Sequence, residues 1–115
     1  GINDAGSPGA RYRHYAPSIP VVLRGPGEEW AKDPRLCRSG VRIAYVGMSP
    51  SPVVALIEIR FGTVEGYATG LFSALRELER SGADVILAEL PAEEGVGLAV
   101  RDRLRRAAGD RDRNS

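Results

Sequence analysis

Apolar positions along this chain change their spacing as it proceeds, and each change marks an element. Residues 19–24 (Ile-Pro-Val-Val-Leu-Arg) are a short β-rich run closed by Gly25-Pro26-Gly27. They predict a first strand, with Pro20 near its start where a missing N–H does least harm. In residues 41–47, Val41, Ile43 and Tyr45 alternate with Arg42 and Ala44, the two-residue period of a second strand. Residues 53–61 begin as a continuous apolar run and end with Ile57, Ile59 and Phe61 alternating against Glu58 and Arg60, which predicts a third. The turn-rich link before it, residues 47–52 (Gly-Met-Ser-Pro-Ser-Pro), is too short for a crossover helix. An antiparallel pairing of the second and third strands therefore stays open.

The spacing then lengthens to that of a helix. Val64, Tyr67, Ala68, Leu71, Leu75 and Leu78 fall on one stripe with Phe72 beside it, while Arg76, Glu77, Glu79 and Arg80 take the wet side. Thr63 is the expected N-cap, Glu65 suits the positive end of the helix dipole, and Ser81-Gly82 is the expected stop. Residues 84–89 (Asp-Val-Ile-Leu-Ala-Glu) have the unbroken apolar centre of a strand covered on both faces. A loop at 91–97 leads to a last helix over 96–108, with Val96, Val100, Leu104 and Ala107 on one stripe. Between the first two strands, Asp33-Pro34 interrupts residues 28–38 and leaves room for one helical turn on either side. The third strand, the long helix and the fourth strand make a βαβ unit, expected parallel and right-handed. The pattern predicts an α/β fold, a Rossmann-like three-layer sandwich on a mostly parallel sheet of about four strands.

Composition narrows the class. A chain of 115 residues with 43% hydrophobic content can bury the core of one domain and hardly more. Its net charge of +1 supplies no global field toward nucleic acid or membrane. Cys37 is the only cysteine, so no internal disulfide can form and a reducing, cytoplasmic setting is expected. One histidine and no cysteine pair exclude a zinc site of the usual kind. No apolar run is long enough to span a membrane and nothing resembles a signal peptide.

The chemistry-bearing residues gather at the front. Residues 7–17 read Ser-Pro-Gly-Ala-Arg-Tyr-Arg-His-Tyr-Ala-Pro, with the prolines and glycine disfavouring helix. In an extended segment Tyr12 and His14 face one way while Arg11, Arg13 and Tyr15 face the other. Such a ribbon can lay a ring on a base and a guanidinium on a phosphate or carboxylate, although an ordinary interdomain linker can have this composition too.

This string closely resembles the Ser-Pro-Gly-Met-Lys/Arg-Tyr-Arg-His-Tyr-Ala-Pro linker of the Sua5 family of L-threonylcarbamoyladenylate synthases, departing only at Ala10. The resemblance continues in residues 67–77 (Tyr-Ala-x-x-Leu-Phe-x-Ala-Leu-Arg-Glu), 84–89, 94–99 (Glu-Gly-x-Gly-Leu-Ala) and 103–108 (Arg-Leu-x-x-Ala-Ala). Residues 25–52 are leaner than in the family. The resemblance implies a flexible interdomain linker at 1–18 and the family's C-terminal α/β domain at 19–109, while the charged residues 110–115 read as a disordered tail. The motif's position at the very front suits a piece of a longer protein.

The family makes threonylcarbamoyl-AMP and pyrophosphate from threonine, bicarbonate and ATP, and the product modifies a tRNA adenosine. The resemblance places that chemistry in a larger YrdC-like domain, whose Lys-x-Arg and Ser-x-Asn groups have no counterpart here. No catalytic residue is therefore expected in this chain, which should be inactive alone. It should hold no cofactor of its own, with ATP and Mg expected for the complete enzyme. The implied partner is the YrdC-like catalytic domain, in cis or in trans, with the tRNA-modification machinery beyond it. No membrane partner and no direct nucleic-acid binding are expected. Tyr12, Arg13, His14 and Tyr15 become the candidate residues gating the substrate cleft, with Pro8 and Gly9 as hinge.

Three further features have bland readings that outweigh the functional ones. His14 titrates near neutrality and so suits a proton shuttle, but a lone linker histidine more often packs or hydrogen-bonds. Gly95 and Gly97 open a helix and form a candidate anion site, yet a third glycine is missing and Val100 stands in its place, so a structural helix start is favoured. Six arginines against three aspartates over 101–115 can meet tRNA phosphates, and equally make a solvated helix face. Two readings stand beside that of an accessory lid domain. One is an independent nucleotide- or small-ligand-binding α/β domain using the strand C-termini, and the other is a protein interaction module.

Overall fold

The computed structural model describes residues 16–25, 28 and 33–109. Among the described residues, four strands and three helices run in the order β1 (Val21–Arg24), α1 (Pro34–Cys37), β2 (Ile43–Gly47), β3 (Ile57–Arg60), α2 (Val64–Glu79), β4 (Val85–Glu89) and α3 (Val96–Ala107). The strands form one sheet in the order β1-β4-β2-β3, and all three pairings are parallel. In register, Val21 faces Ile86, Ala44 faces both Ile86 and Ile57, and Arg24 faces Glu89.

The antiparallel option for the second and third strands is thereby overturned. Residues 48–56 return the chain from the end of β2 to the start of β3 without a helix, and Leu56 N–H donates at 2.7 Å to the carbonyl of Ile43, the first residue of β2. A five-residue strand is about 16 Å long, which this connection can span when largely extended. The expected strand over 53–61 shortens for the same reason. Its first half is the incoming connection, whose Val53 and Ala55 pack on the sheet while Val54 stays 98% exposed. That inside–outside alternation mimics a strand in the sequence.

Each face of the sheet carries its own core. On the first, Val21, Ala44, Val46, Ile86 and Ala88 meet Tyr67, Leu71, Leu75 and Leu78 of α2 and Val100 and Leu104 of α3. The alanines in the central strands give the helices room to approach. On the second face, Val22, Ile43, Tyr45, Val85 and Leu87 meet Leu36 of α1, together with Val53 and Ala55. With apolar partners on both sides, Val85 to Ala88 are all buried, as their unbroken apolar run predicts. Among the described residues, no helix is long and apolar enough to cross a membrane.

The helix signals act locally. Thr63 caps α2 by accepting from Gly66 N–H, and the chain leaves that helix through Gly82 at φ +90°. Pro34 starts α1, the single turn expected on its C-terminal side, because a first-turn residue needs no N–H partner. Asp33 caps this turn, accepting from Arg35 N–H at 2.8 Å. The same carboxylate binds the Arg35 guanidinium at 2.8 Å and that of Arg24 at 3.3 Å, so it fastens α1 to the end of β1. The turn predicted on the N-terminal side of Pro34 lies outside the described residues.

Asp33 gives the fold an acid-sensitive point. The hydrogen bond from the Arg35 side chain, aided by the charges of Arg35 and Arg24, outweighs burial and lowers the Asp33 pKa to about 2. Its folded-state value lies below the unfolded one, so the stabilisation is complete above pH of about 4 and is lost as pH falls toward 2. Asp33→Asn is expected to remove about 2 kcal/mol of urea-measured stability at pH 7 and much less at pH 2. A deficit unchanged between the two pH values would rule out this linkage.

Candidate functional site

The linker residues singled out by sequence, Pro8, Gly9, Tyr12, Arg13, His14 and Tyr15, lie outside the described residues. The glycine pair is described. Gly95 has φ +56°, a left-handed backbone that favours glycine, and Gly97 is buried. A Cβ on Gly97 would run into the backbone carbonyl of Ala92. Gly97 N–H donates to Glu94 O at 3.0 Å and Leu98 N–H to Gly95 O at 3.1 Å, so backbone carbonyls occupy these first donors of α3. Close packing and a tight turn account for both glycines.

The sheet topology points elsewhere. The connection after β4 leads to α3 on the first face, while those after its neighbours β1 and β2 lead to the second. Connections that diverge in this way open a crevice at the C-terminal ends of parallel strands, where α/β folds hold ligands. Here the crevice is a cavity of about 360 Å³. Leu87, Ala88, Pro50 and Pro52 give it apolar walls. Arg24, Glu28, Tyr45, Ser49 and Glu89 give it polar ones.

Glu89 organises that rim. It ends an otherwise apolar strand, and its Oε1 accepts from Met48 N–H at 2.7 Å and from Ser49 N–H at 2.9 Å. The carboxylate thus caps the turn after β2 from the neighbouring strand. It can lie across β2 because Gly47 has no side chain: a Cβ there would stand 2.7 Å from Glu89 Cβ and 2.8 Å from its Oε1. Tyr45 OH donates to Ser49 O at 2.7 Å and lies 3.5 Å from Glu89 Oε1. Burial first, and then the charges of Glu89 and Glu58, push the Tyr45 pKa well above that of a free phenol, so it remains a donor. Behind the rim, buried Tyr67 OH donates to Glu89 O at 2.6 Å and fixes the strand end from the helical side.

Two other side chains complete the cavity. Glu28 Oε1 accepts from Gly25 N–H at 2.8 Å and holds the turn after β1. Arg24 donates to Leu23 O at 2.6 Å and reaches Asp33 at 3.3 Å. Among the described residues, no group of three His, Cys, Asp or Glu side chains is placed to hold a metal ion. Sequence reasoning passed over Arg24, Tyr45 and Glu89. The available signal was a carboxylate closing an apolar strand, but its partners stand on strands far away in the sequence.

The profile of the threonylcarbamoyl-AMP synthase C-terminal domain matches residues 2–109. The chain belongs to that family. The domain is 39% identical to the threonylcarbamoyl-AMP synthase of Pyrococcus abyssi over 96% of its own length and 34% of the relative's. It is 32% identical to that of Bacillus subtilis, covering 91% of this domain and 32% of the relative. It therefore spans about a third of the length of these curated relatives. Among solved structures, P. abyssi Sua5 in complex with L-threonine superposes with a TM-score of 0.70 at 42% identity, over 94% of this domain and 34% of that chain. A P. abyssi Sua5 variant with a histidine and the adjacent tyrosine replaced by alanine gives a TM-score of 0.61 at 36% identity, over 79% of this domain and 29% of that chain.

Proposed function

We propose that this Sua5 C-terminal domain is the non-catalytic accessory and lid domain of a threonylcarbamoyl-AMP synthase. The complete enzyme would join threonine, bicarbonate and ATP, with Mg, to supply the intermediate for tRNA adenosine modification. The observation that carries this reading is the family match over residues 2–109, which includes both the linker motif and the α/β domain. In this reading Tyr12, Arg13, His14 and Tyr15 close over the cleft of a YrdC-like domain, with Pro8 and Gly9 as the hinge. The product is a reactive mixed anhydride, so a lid that excludes water protects it, and the arginine and tyrosines offer contacts to phosphate or nucleotide. The solved P. abyssi variant altered at a His-Tyr pair supports attention to His14-Tyr15, which holds this chain's only histidine.

The test adds this chain to the matching YrdC-like domain and follows pyrophosphate release with threonine, bicarbonate and ATP-Mg. Stimulation that falls away in the Tyr12→Ala, Arg13→Ala double variant is the expected result. Tight ATP binding by this chain alone that survives the double variant would sink the lid reading.

A further inference from the structure

We infer that the cavity at the strand C-termini is a binding site for a small organic cation, a protonated aliphatic amine with an apolar body. The two carboxylates that line it are both held in place by backbone N–H groups: Glu89 through Met48 and Ser49, and Glu28 through Gly25. In each case these bonds fall on Oε1, and among the described residues Oε2 has no hydrogen-bond partner. Two held carboxylates thus line the cavity, each with one oxygen that no backbone N–H engages. Among the described residues, the one guanidinium in the lining, that of Arg24, is turned toward Leu23 O and Asp33. Among the described residues the lining therefore carries two negative charges against one positive charge, and that positive charge is itself drawn to Asp33, a carboxylate it shares with Arg35. Such a lining repels phosphate and favours a positively charged N–H donor.

The remaining walls say what the cation is attached to. Leu87, Ala88, Pro50 and Pro52 present apolar surface, and about 360 Å³ is far more space than a bare metal ion fills. An alkyl chain of a few carbons covers those walls while its ammonium reaches the carboxylates, the usual division of a small-molecule site into apolar body and few polar anchors. Gly47 serves the same end, because any side chain there would displace Glu89 from the rim. Occupation of this site does not depend on catalysis.

The experiment is an amide NMR titration of the 115-residue chain with butylamine and 1,4-diaminobutane, with butanol, Mg²⁺ and ATP as separate comparisons. Saturable shifts at Ser49 and at residues 87–89 are expected with the amines alone. Glu89→Gln and Glu28→Gln should each weaken amine binding about tenfold, the scale of a lost charge-assisted hydrogen bond. In the Glu89→Gln variant the side-chain amide oxygen can still accept from Met48 and Ser49, and Glu28 is an exposed rim residue, so an unchanged melting temperature verifies folding. The absence of saturable amine shifts would overturn the assignment. So would equal binding of butanol, the same shifts with Mg²⁺, or ATP binding at these residues. Missing amine shifts, equal butanol binding or the same shifts with Mg²⁺ would leave pyrophosphate release with the YrdC-like domain untouched, so those failures are distinct from failure of the lid reading. ATP binding at these residues alone would count against both.

Discussion

Replacing Gly47 with alanine is expected to cost the domain about 3 kcal/mol, the upper end for overpacking, because one methyl violates several contacts at once. The new Cβ would collide with the Tyr45 hydroxyl and stand 2.7 Å from Glu89 Cβ and 2.8 Å from Glu89 Oε1. Tyr45 is buried and tied to Ser49 O, so it has little freedom to retreat. Glu89 must move instead, releasing the N–H groups of Met48 and Ser49. Urea denaturation measures the loss, and the amide shifts of residues 48 and 49 report the released cap. Gly62→Ala is the control, since a Cβ there meets nothing within 4 Å. If both variants lost the same stability, the close approach at Gly47 would not be the cause.

Leu104→Ala should remove about 2–5 kcal/mol, the range for emptying a fully enclosed leucine site. Leu104 has no exposed surface and lies where α2, α3 and the first sheet face converge. Rigid neighbours such as Tyr67, Val100 and Leu78 restrict collapse into the gap, which favours the upper part of that range. Leu98, on the same helix but 53% exposed, is the internal comparison, and its alanine variant should stay within about 0.5 kcal/mol of the parent. Comparable urea midpoints for the two variants would overturn the placement of α3 on the sheet.

The parts of this fold that local chemistry controls were open to reading from sequence. The stripe from Val64 to Leu78, the Thr63 cap and the apolar run at 85–88 each combine a period with a terminus, and no distant residue is needed to interpret them. Pairing direction was not open in the same way. Residues 48–56 contain no helix, and a short connection ordinarily argues for antiparallel neighbours, yet here the chain lies against the second sheet face and returns parallel. Val53 and Ala55 alternate because they pack on that face, not because they belong to β3. The cavity was hidden for another reason. Arg24, Tyr45 and Glu89 belong to three strands and meet only through the order β1-β4-β2-β3, which inserts the last strand between the first two. The glycines at 95 and 97 stand out in sequence, whereas Gly47 matters through a neighbour more than forty positions away.

The hydrogen bond from Ser18 N–H to the Glu79 carboxylate, at 3.0 Å, fixes a mooring point. It ties the approach to β1 to the last turn of α2, so the chain enters the fold at a point held against that helix. Tyr12 is six positions upstream, and fully stretched chain advances about 3.3–3.6 Å per residue, so its backbone stays within about 20 Å of that mooring. On the lid reading, the cleft that Tyr12 serves must lie inside this radius. On the same reading, inserting residues between 12 and 18 would weaken the lid by dilution, with every contact left intact.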